Sequence, residues 1–326
     1  MRSDNKPSTS IWPDKPQSWS ELFVLIAGPT ASGKSALAVA LAERADGVVI
    51  NADSMQLYKD LHVLTARPDA ADEARVPHRL YGVLDGATRA SVASWLEMLA
   101  EVVRDVRDAG KLPIIVGGTG MYINAAINGI ASIPDVPASI HHDAVERLAQ
   151  IGGAAFRAEL AEHDPVMAQR LFDGDSQRLV RAMGVVKATG RPLSEWQTDP
   201  HQGQLAGTPF SLAVMPPRAE LYQRIDARFD QMITQGALAE VEALGARQLD
   251  EGLPVMKALG VRELLGHLRG EMPLEQASEL AKRDSRRYAK RQMTWIRNNF
   301  NPNYLAEEKY SERLLQRIFA NLLKTY

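Results

Sequence analysis

Gly28-Pro29-Thr30-Ala31-Ser32-Gly33-Lys34-Ser35 has the residue types and spacing for anion chemistry. In the pattern G-x-x-x-x-G-K-S the glycine-rich turn aims backbone N–H groups at a phosphate, and the helix it opens adds a partial positive charge. Lys34 supplies a point charge for the distal phosphate, and the Ser35 hydroxyl is placed to hold Mg²⁺. Asp53 follows the apolar run Gly47–Asn51. It is either a carboxylate facing the same crevice or the N-cap of a following turn. Arg224 and Arg228, four apart, suit a clamp on a departing diphosphate and suit pairing with Glu220, Asp226 or Asp230 equally well. Arg178 and Arg181, three apart, share one helix face, which by pattern alone reads as solvated or internally paired. Between Lys282 and Arg297 seven basic residues stand against Asp284, with Tyr288, Trp295 and later Phe300 interspersed. Such a stripe is either a solvated helix face or, given its density in a slightly acidic chain, a nucleic-acid contact.

The elements that must position these residues follow from periodicity. Leu22–Ala27, Gly47–Asn51, Leu112–Val116 and Phe210–Met215 are short apolar runs, and apolar residues between Val92 and Val106 recur at helical spacing before Gly110. A strand, a phosphate loop, a helix and further strands predict an α/β fold with a doubly wound parallel sheet. The stretch 60–85 reads as a long connection over the active face. The 112–116 strand runs into Gly117-Gly118-Thr119-Gly120, where a backbone can approach a flat or bulky ligand. It lacks the terminal acid that helps hold Mg²⁺ in an ordinary P-loop ATP hydrolase. Residues 132–200 carry helical patches and no strand, which predicts a helical insertion domain. The P-loop core then spans 21–131 and 201–326, after a disordered polar leader at 1–20.

Composition sets the outer bounds. The chain has 326 residues, a net charge of −2 and no cysteine, which excludes disulfides, thiol chemistry and Cys-ligated zinc. No apolar run approaches the roughly 18 residues needed to cross a membrane. A cytoplasmic protein, acting as a monomer and without a membrane, is the expectation.

In order along the chain, these motifs resemble the tRNA dimethylallyltransferase (tRNA isopentenyltransferase) family. The resemblance rests on Gly28–Ser35, Asp53-Ser54-Met55-Gln56-Leu57-Tyr58, Gly117-Gly118-Thr119-Gly120-Met121-Tyr122 and Gln177-Arg178-Leu179-Val180-Arg181-Ala182. It continues through Arg224–Met232 and Ala258-Leu259-Gly260-Val261-Arg262-Glu263 to Ala289-Lys290-Arg291-Gln292-Met293-Thr294-Trp295. It implies Mg²⁺-supported transfer of a dimethylallyl group from dimethylallyl diphosphate to the exocyclic amine of the adenine immediately 3′ of the anticodon. By that resemblance Gly28, Pro29, Thr30, Ala31, Ser32, Gly33, Lys34 and Ser35 hold the diphosphate, Asp53 is the base, and Thr30 and Lys34 act in catalysis. Arg228 best matches the family's diphosphate arginine, with Arg224 the alternative. Asp53, Ser54, Met55, Gln56, Gln177, Arg178, Leu179, Val180 and Arg181 contact the tRNA, with Thr119 at the target base. Lys290, Arg291 and Gln292 contact the anticodon stem-loop. His141 falls near a tRNA-contacting position usually filled by arginine, Arg67 and Arg79 replace a family Lys and His, and the family's Gly-Tyr pair is Gly260-Val261. The competing readings are a small-molecule kinase using ATP in the same loop, a prenyltransferase acting on free adenine nucleotides, and a non-catalytic RNA-binding P-loop protein.

Overall fold

The computed structural model describes residue 19 and residues 21–308 and 310–325. The polar leader therefore lies outside the described residues, with one exception that corrects its boundary. Trp19 is buried in the core, and its indole N–H donates to the Ala45 carbonyl at 3.0 Å.

The elements run β1 (Leu22–Ala27), α1 (Lys34–Ala45), β2 (Gly47–Asn51), α2 (Ala70–Arg75), β3 (His78–Arg79), α3 (Val92–Asp108), β4 (Leu112–Gly117), α4 (Gly120–Asn128), α5 (Ala138–Ala161), α6 (Pro165–Arg170) and α7 (Ser176–Thr189). They continue with α8 (Leu193–Trp196), β5 (Thr208–Val214), α9 (Arg218–Thr234), α10 (Ala237–Ala246), α11 (Val261–Leu268), α12 (Leu274–Asn299), β6 (Tyr304–Ala306) and α13 (Glu312–Thr325). The strands form one sheet in the order β3-β2-β4-β1-β5-β6, parallel throughout. β1, β2 and β4 are buried along their whole length, because helices cover both faces of a parallel sheet. The first strand sits between β4 and β5, so the strand order reverses beside the phosphate loop. Ligands bind outside the carboxyl ends of strands at such a switch point.

The four long strands sit where apolar runs predicted them. The edge strands β3 and β6 were not legible, because two or three residues are too few to show a period. The 60–85 connection is also more ordered than expected, containing α2 and β3.

The chain divides into two compact units, residues up to 127 with 205 onward, and residues 128–204. The insertion expected at 132–200 falls inside the second. That second unit has its own apolar core, with Phe156, Leu160, Leu179 and Met183 among its buried members. Buried Asp164 accepts from the Met167 N–H at 3.0 Å and the Ser194 N–H at 2.9 Å, tying the start of α6 to α8.

Candidate active site

The phosphate loop is built by backbone geometry. Gly33 takes φ 92°, the left-handed conformation that admits glycine without a Cβ clash, and becomes the N-cap of α1. The α1 N-terminus thereby faces the loop. A cavity of about 470 Å³ is lined by Ala31–Ser35 together with Arg224, Ala227, Arg228 and Gln231 of α9. The structure thus brings both candidate arginines to the loop. They are not equivalent. Arg224 donates to Glu220 at 3.1 Å, whereas burial pushes the Arg228 pKa down and the charge of Asp53 opposes that shift. Burial also lowers Lys34, to about 8; Asp53 pulls it back up and Arg228 pushes it further down. The Ser32 hydroxyl is buried with no partner among the described residues, as expected of a group awaiting a ligand oxygen.

Asp53 is held by the chain around it. Buried Asn51, the last residue of β2, accepts from the Asp53 N–H at 2.7 Å and donates to the Asp53 and Leu80 carbonyls. One carboxylate oxygen accepts from the Met55 N–H at 3.0 Å. The N-cap of the turn at Met55–Leu57 is Ser54, so Asp53 closes a local turn without being the cap itself, and the charge of its carboxylate acts on Lys34 and Arg228 alike. Ser54 donates its N–H to the Thr119 hydroxyl at 3.1 Å, tying the end of β2 to the end of β4.

Several expectations need correction. Gln292 was expected on the anticodon stem-loop, but its side chain is buried. Its amide accepts from the Thr30 N–H and donates to the Gly118 carbonyl, each at 2.9 Å, so it ties the phosphate loop to the end of β4. Gly117–Gly120 was expected to receive a flat ligand. Its glycines are instead taken up by close internal packing. A Cβ at 117 would collide with the Ala52 backbone, at 118 with the Gln292 amide and at 120 with the Trp295 ring. Tyr288 is turned inward as well, its hydroxyl engaging the side chains of Thr119 and Gln292. Burial and the charge of Asp53 raise its pKa. Gln56 donates to the Thr65 and Ala66 carbonyls at 2.9 Å, so its amino group serves the neighbouring loop rather than an RNA. In the second unit Leu179 and Val180 are core residues, whose side chains no RNA can reach. Their neighbours Gln177, Arg178 and Arg181 on α7, and His141 on α5, are exposed. Met55 is half-buried against the core around Tyr58.

The basic stripe of α12 does face outward. Arg283, Arg287, Lys290, Arg291 and Arg297 are exposed, while Arg286 and Lys282 are spent on Asp226 and Asp230. The sequence reading missed Asn51, whose only signal is its place at a strand end before an acid. It also missed Glu240, whose carboxylate accepts from the N–H groups of His62, Val63 and Leu64 but which in sequence looks like any exposed helix carboxylate.

No cluster of three acidic or histidine ligands occurs among the described residues. The Ser35 hydroxyl opens onto the loop cavity. One hydroxyl fits a Mg²⁺ ion that would arrive with its anion, and does not fit a tightly held resident ion.

Beside the loop lies a smaller cavity of about 70 Å³ that shares Ala31 and Arg228 with the first. Thr30, Leu64, Ile225, Phe229, Met232 and Leu259 line it, so its walls are mostly apolar.

Comparison with known proteins places these features in context. The family described as IPP transferase matches residues 56–299. The tRNA dimethylallyltransferase of Rhodospirillum rubrum is 51% identical over 293 residues, covering 90% of each chain. That of Paramagnetospirillum magneticum is 49% identical over 299 residues, covering 92% of this chain and 95% of its own. A tRNA isopentenylpyrophosphate transferase from Bacillus halodurans superposes with a TM-score of 0.67 at 31% identity, covering 94% of this chain and 96% of that one. A eukaryotic dimethylallyltransferase acting on tRNA gives a TM-score of 0.74 at 27% identity, covering 89% and 75%.

Proposed function

Because the chain belongs to the IPP transferase family, we propose that it transfers a dimethylallyl group from dimethylallyl diphosphate to a tRNA adenine. The acceptor is the exocyclic amine of the base immediately 3′ of the anticodon, and diphosphate is released. The observation that carries this reading is the pairing of two cavities. An anion site with a lysine and two arginines opens beside a short apolar one, and Ala31 and Arg228 line both. That pair fits a charged head with a short hydrocarbon tail, and an ATP-using kinase has no need of the apolar cavity.

The chain's own groups then divide the work. The carbon–oxygen bond of the allylic diphosphate breaks, and its electrons go to the departing diphosphate. Lys34, Arg228 and the loop N–H groups face that developing charge and stabilise it where it forms. Mg²⁺, when bound with the substrate at Ser35, adds charge neutralisation on the phosphate oxygens. The adenine amine attacks the allylic carbon, and Asp53 takes the amine proton as the nitrogen–carbon bond forms. Such general-base help is worth about 10²–10⁴-fold. Thr119 and Tyr288 hold the Asp53–Ser54 segment in place beside it. Exposed Lys290 and Arg291, with Gln177, Arg178 and Arg181, supply phosphate contacts to the tRNA. No helix among the described residues is long and apolar enough to cross a membrane.

The test is to incubate the protein with dimethylallyl diphosphate, Mg²⁺ and unmodified tRNA, then to digest the tRNA to nucleosides. One dimethylallyl-adenosine per susceptible tRNA, at the position 3′ of the anticodon, is expected. Unmodified tRNA alongside stimulated turnover of labelled ATP would return the protein to the kinase reading.

A further inference from the structure

We propose that Phe172, on the loop between α6 and α7, is a stacking platform for an unpaired base of the anticodon loop. This inference rests on the reading of the protein as an enzyme acting on tRNA. The chain has seven phenylalanines. The other six are 8% exposed or less, whereas Phe172 is 79% exposed, more than any other large apolar side chain among the described residues. Its neighbour Leu171 is buried in the core of the second unit, so the loop is anchored inward while the ring is left in solvent.

The loop is built to hold that ring still. The Asp175 carboxylate accepts from the Phe172 N–H at 3.3 Å, and the Asp175 N–H donates to the Phe172 carbonyl at 2.9 Å. Asp173 pairs with Arg157 of α5 at 2.6 Å. The loop backbone also lies close against α5, where a Cβ at Gly153 would collide with the Asp173 carbonyl. A ring fixed in advance loses little freedom when a base settles on it. The same bonds engage both acids of the loop, while the cations around it stay free. Arg170 ends α6, and Gln177, Arg178 and Arg181 fall in the first two turns of α7; all four are exposed. The guanidinium groups of these three arginines have no partner among the described residues. Free cations on both sides of the ring in the chain favour a polyanion over an apolar protein surface. Single-stranded RNA suits the set, since the cations take phosphates and the ring takes a base.

The full-length protein is titrated with an anticodon stem-loop RNA and with copies in which one loop nucleotide at a time is abasic. Phe172→Ala should weaken binding of the intact RNA by about 5- to 150-fold, the worth of one base stacked on an aromatic ring. Its salt dependence should stay that of wild type, whereas Arg178→Ala should lower the slope by about one. At one loop position the abasic RNA should cost wild type the same factor as Phe172→Ala, yet cost the variant less than about twofold more. Phe172→Trp should keep the affinity and Phe172→Leu should lose it, because leucine has no face on which a base can stack. If Phe172→Ala does not fold, Phe172→Leu carries the same comparison. Wild-type affinity in the folded variant, or equal abasic costs in both proteins, overturns the platform. Unchanged RNA affinity with self-association lost in sedimentation overturns it too, and gives the ring to a second copy of the chain. A wild type that does not bind the stem-loop sinks the tRNA reading itself, and this inference with it.

Discussion

Lys34 and Asp53 set two predictions at the scale of single residues. Lys34 is desolvated enough to titrate near 8. It carries the charge the diphosphate needs below that value and loses it above. The kcat/KM for dimethylallyl diphosphate, which reports the free enzyme, should therefore fall about tenfold per pH unit beyond pH 8. Bound diphosphate favours the protonated amine, so the same limb in kcat should lie at higher pH. In Lys34→Arg the free-enzyme limb should vanish, because a guanidinium does not deprotonate in this range; a limb that survives the change would belong to another group. Asp53→Asn preserves shape and the bond from the Met55 N–H while removing the base. Single-turnover transfer should slow by about 10²–10⁴-fold, with tRNA affinity within a factor of about three of wild type. An equal loss of affinity would move Asp53 from chemistry to RNA binding.

At the scale of elements, α12 has two jobs on two faces. Its inner face uses small residues, Ala277, Ala281, Ser285 and Ala289, to approach its neighbours closely, then Gln292 to grip the phosphate loop and the end of β4. Gln292→Leu leaves the part-buried Thr30 N–H and the buried Gly118 carbonyl without this partner, the second at a cost of about 1–3 kcal/mol. Its effect should fall on KM for the diphosphate more than on tRNA affinity, because the disturbed N–H belongs to the loop. The outer face presents exposed cations. Replacing both Lys290 and Arg291 by Ala should weaken tRNA binding and reduce the slope of log affinity against log salt by about one to two. An unchanged slope would make this face ordinary solvated surface. The aromatic residues once read with that stripe belong inside: Tyr288 on Thr119 and Gln292, Trp295 on Gly120, and Phe300 in the interior.

At the scale of the whole molecule, each unit closes a core of its own, and the ends of the first meet. The Leu205 N–H donates to the Ala126 carbonyl at 3.0 Å, so the chain leaves and re-enters that unit at one place. Replacing 128–204 with a short glycine-containing turn should leave a cooperatively folding unit that still binds diphosphate and has lost affinity for tRNA. A non-cooperative melt would show that the core depends on the excised residues.

The sequence by itself determined the features that are local. G-x-x-x-x-G-K-S constrains its own backbone, four apolar runs announce buried parallel strands, and a 3.6-residue period announces α3. These signals are local because each is set by neighbours a few residues away. The tertiary structure decided everything that depends on what lies across the gap. It alone showed that Arg228 is desolvated beside the loop while Arg224 is already paired, that Gln292 clamps rather than reads RNA, and that Gly118 and Gly120 make room for α12. It alone turned Glu240 and Gln56 into supports for the loop that carries Leu64. A polar side chain looks the same in a sequence whether it faces water or a buried carbonyl; only packing decides which. The phosphate loop was legible from its first glycine, but the apolar cavity beside it was assembled by five separate stretches of chain.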